Sequence, residues 1–195
     1  MNPRLDKAFY TRTDVVQVAK DLLGKVLVSQ LDGLKTSGII IETEAYRGPD
    51  DKACHAYNNR RTARTEVMFA EGGVAYVYLC YGLHHLFNVV TAEKDMPHAV
   101  LIRAIAPLDG IETMLERREL KAKKPNLSAG PGTLSKALGI DTSHTNHSVS
   151  DANSLIWIED HNIEVSEQQI IASPRVGVDY AGDHALWPWR FRLVR

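Results

Sequence analysis

Apolar positions change period several times along the chain. Over residues 13–24, TDVVQVAKDLLG, Val15, Val18, Ala19, Leu22 and Leu23 recur at helical spacing, with Thr13 or Asp14 placed to cap the start and Gly24 to stop it. The period then becomes that of strands. In KVLVSQLDGLKTSGIIIETEAY, two β-branched runs flank Asp32-Gly33, a strong hairpin signal, and the second strand is expected to end near Glu44. Residues 47–73 are polar and irregular, with one helical turn expected in TARTEVMFA. Strands are expected at 74–80, 85–91 and 99–105. Residues 109–120 read as a helix, in which Asp109 caps, Glu112 completes a capping box, and Ile111, Met114 and Leu115 line one face. A short helix is expected from about Thr133 to Leu138, and strands return near 154–159, 163–172 and 190–194. Helices interrupt a strand-rich order without βαβ alternation. This predicts an α+β fold, one compact domain over residues 1–195, with a curved, largely antiparallel sheet flanked by helices.

Composition narrows the setting. A chain of 195 residues, 44% hydrophobic, suits a single domain with a substantial core. The start, MNPRLDKAFYTRTD, has no apolar stretch behind basic residues, so no signal peptide is expected. No run approaches the ~18 apolar residues of a membrane helix. Cys54 and Cys80 form no CxxC and no zinc spacing, which fits a reducing, cytoplasmic location, with Cys80 a small core residue. The net charge of −1 gives no global basic footprint. Cations nevertheless cluster at Arg60, Arg61 and Arg64, at Arg117, Arg118, Lys121, Lys123 and Lys124, and at Arg190, Arg192 and Arg195. Each cluster alone reads as a solvated face. Local basic patches on a near-neutral protein can still hold a phosphate backbone, and Arg60 and Arg61 are candidates for it.

Two segments carry candidate chemistry. AYVYLCYGLHHLFNVV, residues 75–90, looks like a hairpin whose only turn former is Gly82, flanked by Tyr81, Leu83, His84 and His85. Val77 and Leu79 are expected to face the core. In IIIETEAYRGPDDKACHAY, residues 39–57, strand alternation places Glu42 and Glu44 on one face. They are either a sheet edge turning to solvent or a base held rigidly at a strand end. Tyr46 and His55 follow closely, and Tyr76 and Tyr78 share a strand face. Arg103, inside the apolar strand AVLIRAI, either faces solvent or is paired with an anion such as Glu44.

Other chemistries have weaker support. His55, His84, His85, Glu44 and Asp51 are possible metal ligands, but adjacent strand histidines point to opposite faces, and HExxH is absent. GxSxG is absent too. GPGTLSKALG lacks the GK[ST] of a phosphate-binding loop, although its helix start, with Gly132 and Lys136, can meet one phosphate; a plain turn and helix entry explains it equally well. A non-catalytic nucleic-acid binder and a metal-dependent nucleotide hydrolase therefore stand beside a carboxylate-based enzyme.

Several long segments, in order, resemble the alkyladenine (3-methyladenine) DNA glycosylase family: ETEAYRGPDDKACH, AYVYLCYGLHHLFNVV, VLIRAIAPLDG, SAGPGTLSKALGI and YAGDHALWPWRFRL. The resemblance covers the chain from about residue 8 onward. It implies a monofunctional base-excision enzyme that uses no metal or organic cofactor and acts, as a monomer, on double-stranded DNA containing damaged purines. It implies Glu44 as general base, with Arg103 helping to hold the water. Tyr46, His55, Tyr78 and Asn88 would enclose a flipped base, with Asn88 biasing against the 2-amino group of guanine. Tyr81, at the tip of a protruding hairpin, would fill the vacated stack. The chain departs from better-known members after the wedge's glycine, where it has Leu83-His84 in place of Met-Tyr. No lysine stands in for Glu44 in the matched segments, so a hydrolase without lyase activity is expected.

Overall fold

The Asp32-Gly33 turn sets the register of the central sheet. In the computed structural model, which describes residues 2–122 and 124–194, these two residues have φ of 54° and 75°, the geometry that matches the twist of paired strands. They join β1, Val26–Leu31, to β2, Leu34–Arg47, which runs on past the expected end at Glu44. The other strands are β3, Ala75–Cys80; β4, His84–Thr91; β5, His98–Pro107; β6, Ile156–Glu159; β7, Ile170–Ser173; and β8, Arg190–Leu193. The order is β3-β4-β5-β2-β1-β6, with β8 pairing to both β2 and β7, and the pairings are antiparallel. With its few short helices, this is the α+β architecture expected from the pattern.

One irregularity positions the site. The first part of β2 pairs with β1, and residues 42–44 pair with β8. Against β5, Ile40 faces Ile105, Glu42 faces Ala104 and Thr43 faces Ile102. Ile41 on β2 and Arg103 on β5 are thus extra residues in the ladder. Bulges of this kind bend the strand and re-aim side chains. Here they bring Glu42, Glu44 and Arg103 together.

The helices are α1, Lys7–Tyr10; α2, Val15–Asp21; α3, Ile111–Arg117; and α4, Pro131–Leu138. Asp14 caps α2, its Oδ1 accepting from the Gln17 N–H at 3.0 Å. Val15, Val18, Ala19 and Leu22 pack with Ile40, Ile102 and Phe191 in the main core, and Leu134, Ala137 and Leu138 bring α4 into the same core. Thr43 Oγ1 donates to the Ala19 carbonyl at 2.8 Å, tying α2 to the strand that carries Glu44. Each fully buried Leu or Val contributes about 1.5–3 kcal/mol.

Several local expectations are corrected. Gly110, not Asp109, is the N-cap of α3, with φ of 70°, and lacking a side chain it leaves no capping box for Glu112. A Cβ at Gly110 would lie 2.2 Å from the Lys35 carbonyl, so the close approach demands glycine. Asp109 instead accepts from Ser37 Oγ at 2.9 Å. The expected strand at 163–172 is confined to Ile170–Ser173. Ile163 and Val165 pack over Gly24 instead, where a Cβ would meet Val165 at 2.7 Å. Leu79 is 47% exposed, because it lies on the outer part of the hairpin beyond the packed sheet. Cys80 is half-buried and lines a cavity; Cys54 is the buried thiol. Arg117 donates to Thr36 Oγ1 and the Ala137 carbonyl, and Arg118 to the Leu127 carbonyl, so these two brace the chain rather than forming a solvated face. Lys123 and Arg195 lie outside the described residues. Among the described residues, no helix is long and apolar enough to cross a membrane.

Candidate active site

The β3–β4 hairpin builds an aromatic wall. Alternation along β3 puts Tyr76 and Tyr78 on one side, their ring centroids 5.4 Å apart, and His55 meets Tyr78 edge-on at 4.7 Å. His55 Nδ1 is 2.8 Å from the Tyr76 hydroxyl, and its Nε2 is 3.3 Å from Arg64 Nη2. A guanidinium only donates, so Nε2 accepts and Nδ1 carries the ring proton. Burial, then the Arg64 charge, hold the imidazole pKa down at about 4. The ring is therefore neutral at physiological pH. Its depressed pKa contributes stability that is fully present above the ordinary value of about 6.5 and is lost as pH falls from there toward 4. NMR titration of the imidazole should place the His55 midpoint near 4; a midpoint at the ordinary value would contradict this packing.

Next to the wall, joined to it through Tyr46, lies a buried acidic network. Glu44 is fully buried, yet both oxygens are satisfied. Oε2 accepts from the Tyr46 hydroxyl at 2.7 Å, and Oε1 accepts from the Val176 N–H at 2.8 Å and lies 3.3 Å from Arg103 Nη1. Oε1 thus has two partners, while Oε2 has one and keeps acceptor capacity. Burial first, and the Glu44 carboxylate next, push the Tyr46 phenol well above its ordinary pKa, so it remains a donor. Glu42 Oε1 takes Arg103 Nε at 2.8 Å and Arg190 Nε at 2.6 Å. Burial acts to lower the Arg103 pKa, but Glu44 and Glu42 outweigh it and raise the guanidinium above its usual value. Arg103 is thus an ion-paired strand residue, held mainly by Glu42 and secondarily by the anticipated Glu44.

A second buried pair fixes the loop that supplies the Val176 N–H. Arg175 and Asp51 are both inaccessible and form a two-point bridge. Arg175 also donates to the Ala45 and His184 carbonyls, at 2.8 and 3.1 Å, and its guanidinium lies 4.8 Å over the Tyr46 ring. One loop thereby anchors the strand, the tyrosine and the carboxylate together.

Wall residues and network residues together line a cavity of about 620 Å³. Tyr46, His55, Tyr78, Asn88 and Arg103 line it together, with Arg64, Tyr76 and Val176. Glu44 lies beneath this lining, separated from the cavity by Tyr46, Arg103 and Val176, each of which it touches. Buried Asn88 donates through Nδ2 to the Tyr76 and Leu86 carbonyls, at 3.0 and 3.2 Å. Tyr81 stands at the rim, 87% exposed and with φ of 52°, beside Gly82 at 70°. Positive φ is uncommon for a bulky residue and marks a constrained turn. Gly132 packs on His84, where a Cβ would come within 2.8 Å. His85 sits in β4 with Nδ1 buried. Arg61 is bridged to Glu66 and Asp95, and Lys136 to Glu119, all exposed pairs that exchange partners at little cost. Arg60 is exposed. Among the described residues no three His, Cys, Asp or Glu side chains are placed to hold a metal ion.

Sequence reasoning missed Arg175 and Val176, and it gave Glu42 and Asp51 no part in this network. The only sequence signal for Glu42 was its shared face with Glu44. Arg175 sits in a polar loop, SPRVGVDY, that offers no period to read.

A family model described as methylpurine-DNA glycosylase (MPG) matches residues 8–195. Three relatives bear the provisional name 3-methyladenine DNA glycosylase. One from Chlamydia abortus is 49% identical over 194 residues, covering 97% of each chain. One from Natranaerobius thermophilus is 48% identical over 191 residues, covering 97% of this chain and 95% of its own. One from Bacillus cereus is 49% identical over 184 residues, covering 91% and 90%.

Proposed function

The chain belongs to the methylpurine-DNA glycosylase family, hydrolases of N-glycosyl bonds in DNA, and from that premise we propose that it flips damaged purines out of duplex DNA into the cavity and cleaves them from the sugar with water activated by Glu44. The substrate class is 3-methyladenine, 7-methylguanine, hypoxanthine and ethenoadenine. The observation that carries the reading is the Glu44 carboxylate, bonded to the three groups that floor an aromatic cavity.

A base within a duplex is sterically hidden, so cleavage at its glycosidic bond requires extrusion. Unstacking costs a few kcal/mol, less for a damaged base, and an inserted side chain offsets it. Tyr81 has the exposure for that role. Tyr46, His55 and Tyr78 offer flat surfaces to the extruded purine, and Asn88 a polar edge. As the bond breaks, the sugar gains oxocarbenium character. Glu44 removes a proton from water and stabilises that positive charge, while Arg103 holds the carboxylate in place. Glu44 is fully buried, so water reaches the free acceptor position of Oε2 only as the lining formed by Tyr46, Arg103 and Val176 parts. Arg60, Arg61, Gly132 and Lys136 contact the DNA backbone, with Gly132 packed on His84 beside the hairpin's turn. The protein works as a monomer in the cytoplasm on nucleoid DNA.

The test is a lesion panel in duplex oligonucleotides, read as alkali-labile sites. Excision of at least one of the four lesions supports the reading, and intact DNA throughout overturns it. For the wedge, Tyr81→Ser should weaken stable flipping, seen as lower 2-aminopurine fluorescence in the complex. A wild-type flipping signal would remove Tyr81 from that role.

A further inference from the structure

Arg64 is a cation at the aromatic wall that the catalytic reading leaves unused. Its guanidinium carbon lies 4.8 Å over the Tyr78 ring, and Nη2 is 3.3 Å from His55 Nε2. It lines the same cavity as Tyr46 and Asn88. The other charges around that cavity are balanced. Arg103 and Arg190 face Glu42 and Glu44, and Arg175 faces Asp51. Neighbouring Arg61 is bridged to Glu66 and Asp95. Among the described residues, Arg64 has no ion-pair partner, so its positive charge, exposed and screened by water on its outer side, is not offset by a neighbouring carboxylate.

We propose that Arg64 is a specificity-determining residue, a positive charge laid over the Tyr78 ring that biases the enzyme toward neutral damaged purines and against cationic ones. The proposal rests on the reading that this cavity receives the flipped base. Purines alkylated at N3 or N7 carry a positive charge, and aromatic walls ordinarily attract such bases through the negative ring faces. At Tyr78 the guanidinium already takes up that attraction. It also repels a second cation a few ångströms away, in a site partly screened from water. A neutral base such as hypoxanthine meets no such repulsion and can stack against the planar guanidinium. The influence of Arg64 extends to its neighbour, since it is the second cause, after burial, of the lowered His55 pKa.

The test compares single-turnover excision of 7-methylguanine and hypoxanthine from the same duplex sequence. In Arg64→Gln, the 7-methylguanine-to-hypoxanthine rate ratio should rise about tenfold. Arg64→Lys, which keeps the charge, should stay near the wild-type ratio. NMR of DNA-free Arg64→Gln should show the His55 midpoint moved up from about 4, a change that loss of a phosphate contact elsewhere would not cause. Equal loss on both lesions, or a ratio unchanged in Arg64→Gln, overturns the proposal and makes Arg64 a backbone contact. A wild-type protein that releases neither base fails the glycosylase reading itself and takes this one with it.

Discussion

Replacing Glu44 with glutamine should lower the single-turnover excision rate by about 10²–10⁴-fold while duplex binding persists, the range expected when a general base is removed. The argument is steric and electrostatic. Glutamine has nearly the same shape, so the side chain still fills the fully buried space between Tyr46 and Val176. Its carbonyl oxygen can take the Val176 N–H and face Arg103, and the Tyr46 hydroxyl can rotate to accept from the new amide. Arg103 remains held by Glu42. What disappears is the negative charge that, on the proposed mechanism, removes a proton from water and faces the developing oxocarbenium ion. Rate and binding therefore separate. Parallel gel-shift and alkali-cleavage assays read both, and unchanged turnover would sink the assigned mechanism.

The second large effect is on stability. Asp51→Ala should destabilise the fold by about 3–5 kcal/mol, because it strands the Arg175 guanidinium in an inaccessible site. For a chain of this size that corresponds to a fall in Tm of roughly 6–20 °C. Arg175 would keep only its bonds to the Ala45 and His184 carbonyls. Adding Arg175→Met removes the stranded charge and should recover part of the loss. Urea denaturation of the two variants measures both effects. A single variant as stable as wild type would show that the pair is not what holds the loop carrying the Val176 N–H.

The sequence made most of the strands and α2 legible because local pattern dictates them. Asp32-Gly33 supports positive φ at both turn positions, and the apolar positions of α2 recur on one helical face. Period-two alternation also placed Glu42 and Glu44 together, and both carboxylates do reach Arg103. The ladder irregularity that aims Arg103 was not legible. It lies where β2 takes on β8, whose Arg190 bonds to Glu42 from 148 residues away in the chain. Alternation likewise placed Leu79 inward, but the hairpin outruns the sheet that would have covered it. Asp51 read only as a possible metal ligand, since its partner Arg175 is 124 residues distant. The site's aromatic residues were visible as a set because three segments converge on them, but the loop that fixes Glu44 was visible only in three dimensions.

The central claim, hydrolysis of a damaged purine's glycosidic bond by an activated water, has a direct test. A duplex containing hypoxanthine is incubated with the protein in ¹⁸O-labelled water and EDTA, and the products are analysed by mass spectrometry under conditions that limit exchange. The account predicts free, unlabelled hypoxanthine and an uncleaved strand whose abasic sugar carries one ¹⁸O at C1′. No released base, or release that depends on the metal removed by EDTA, would contradict it.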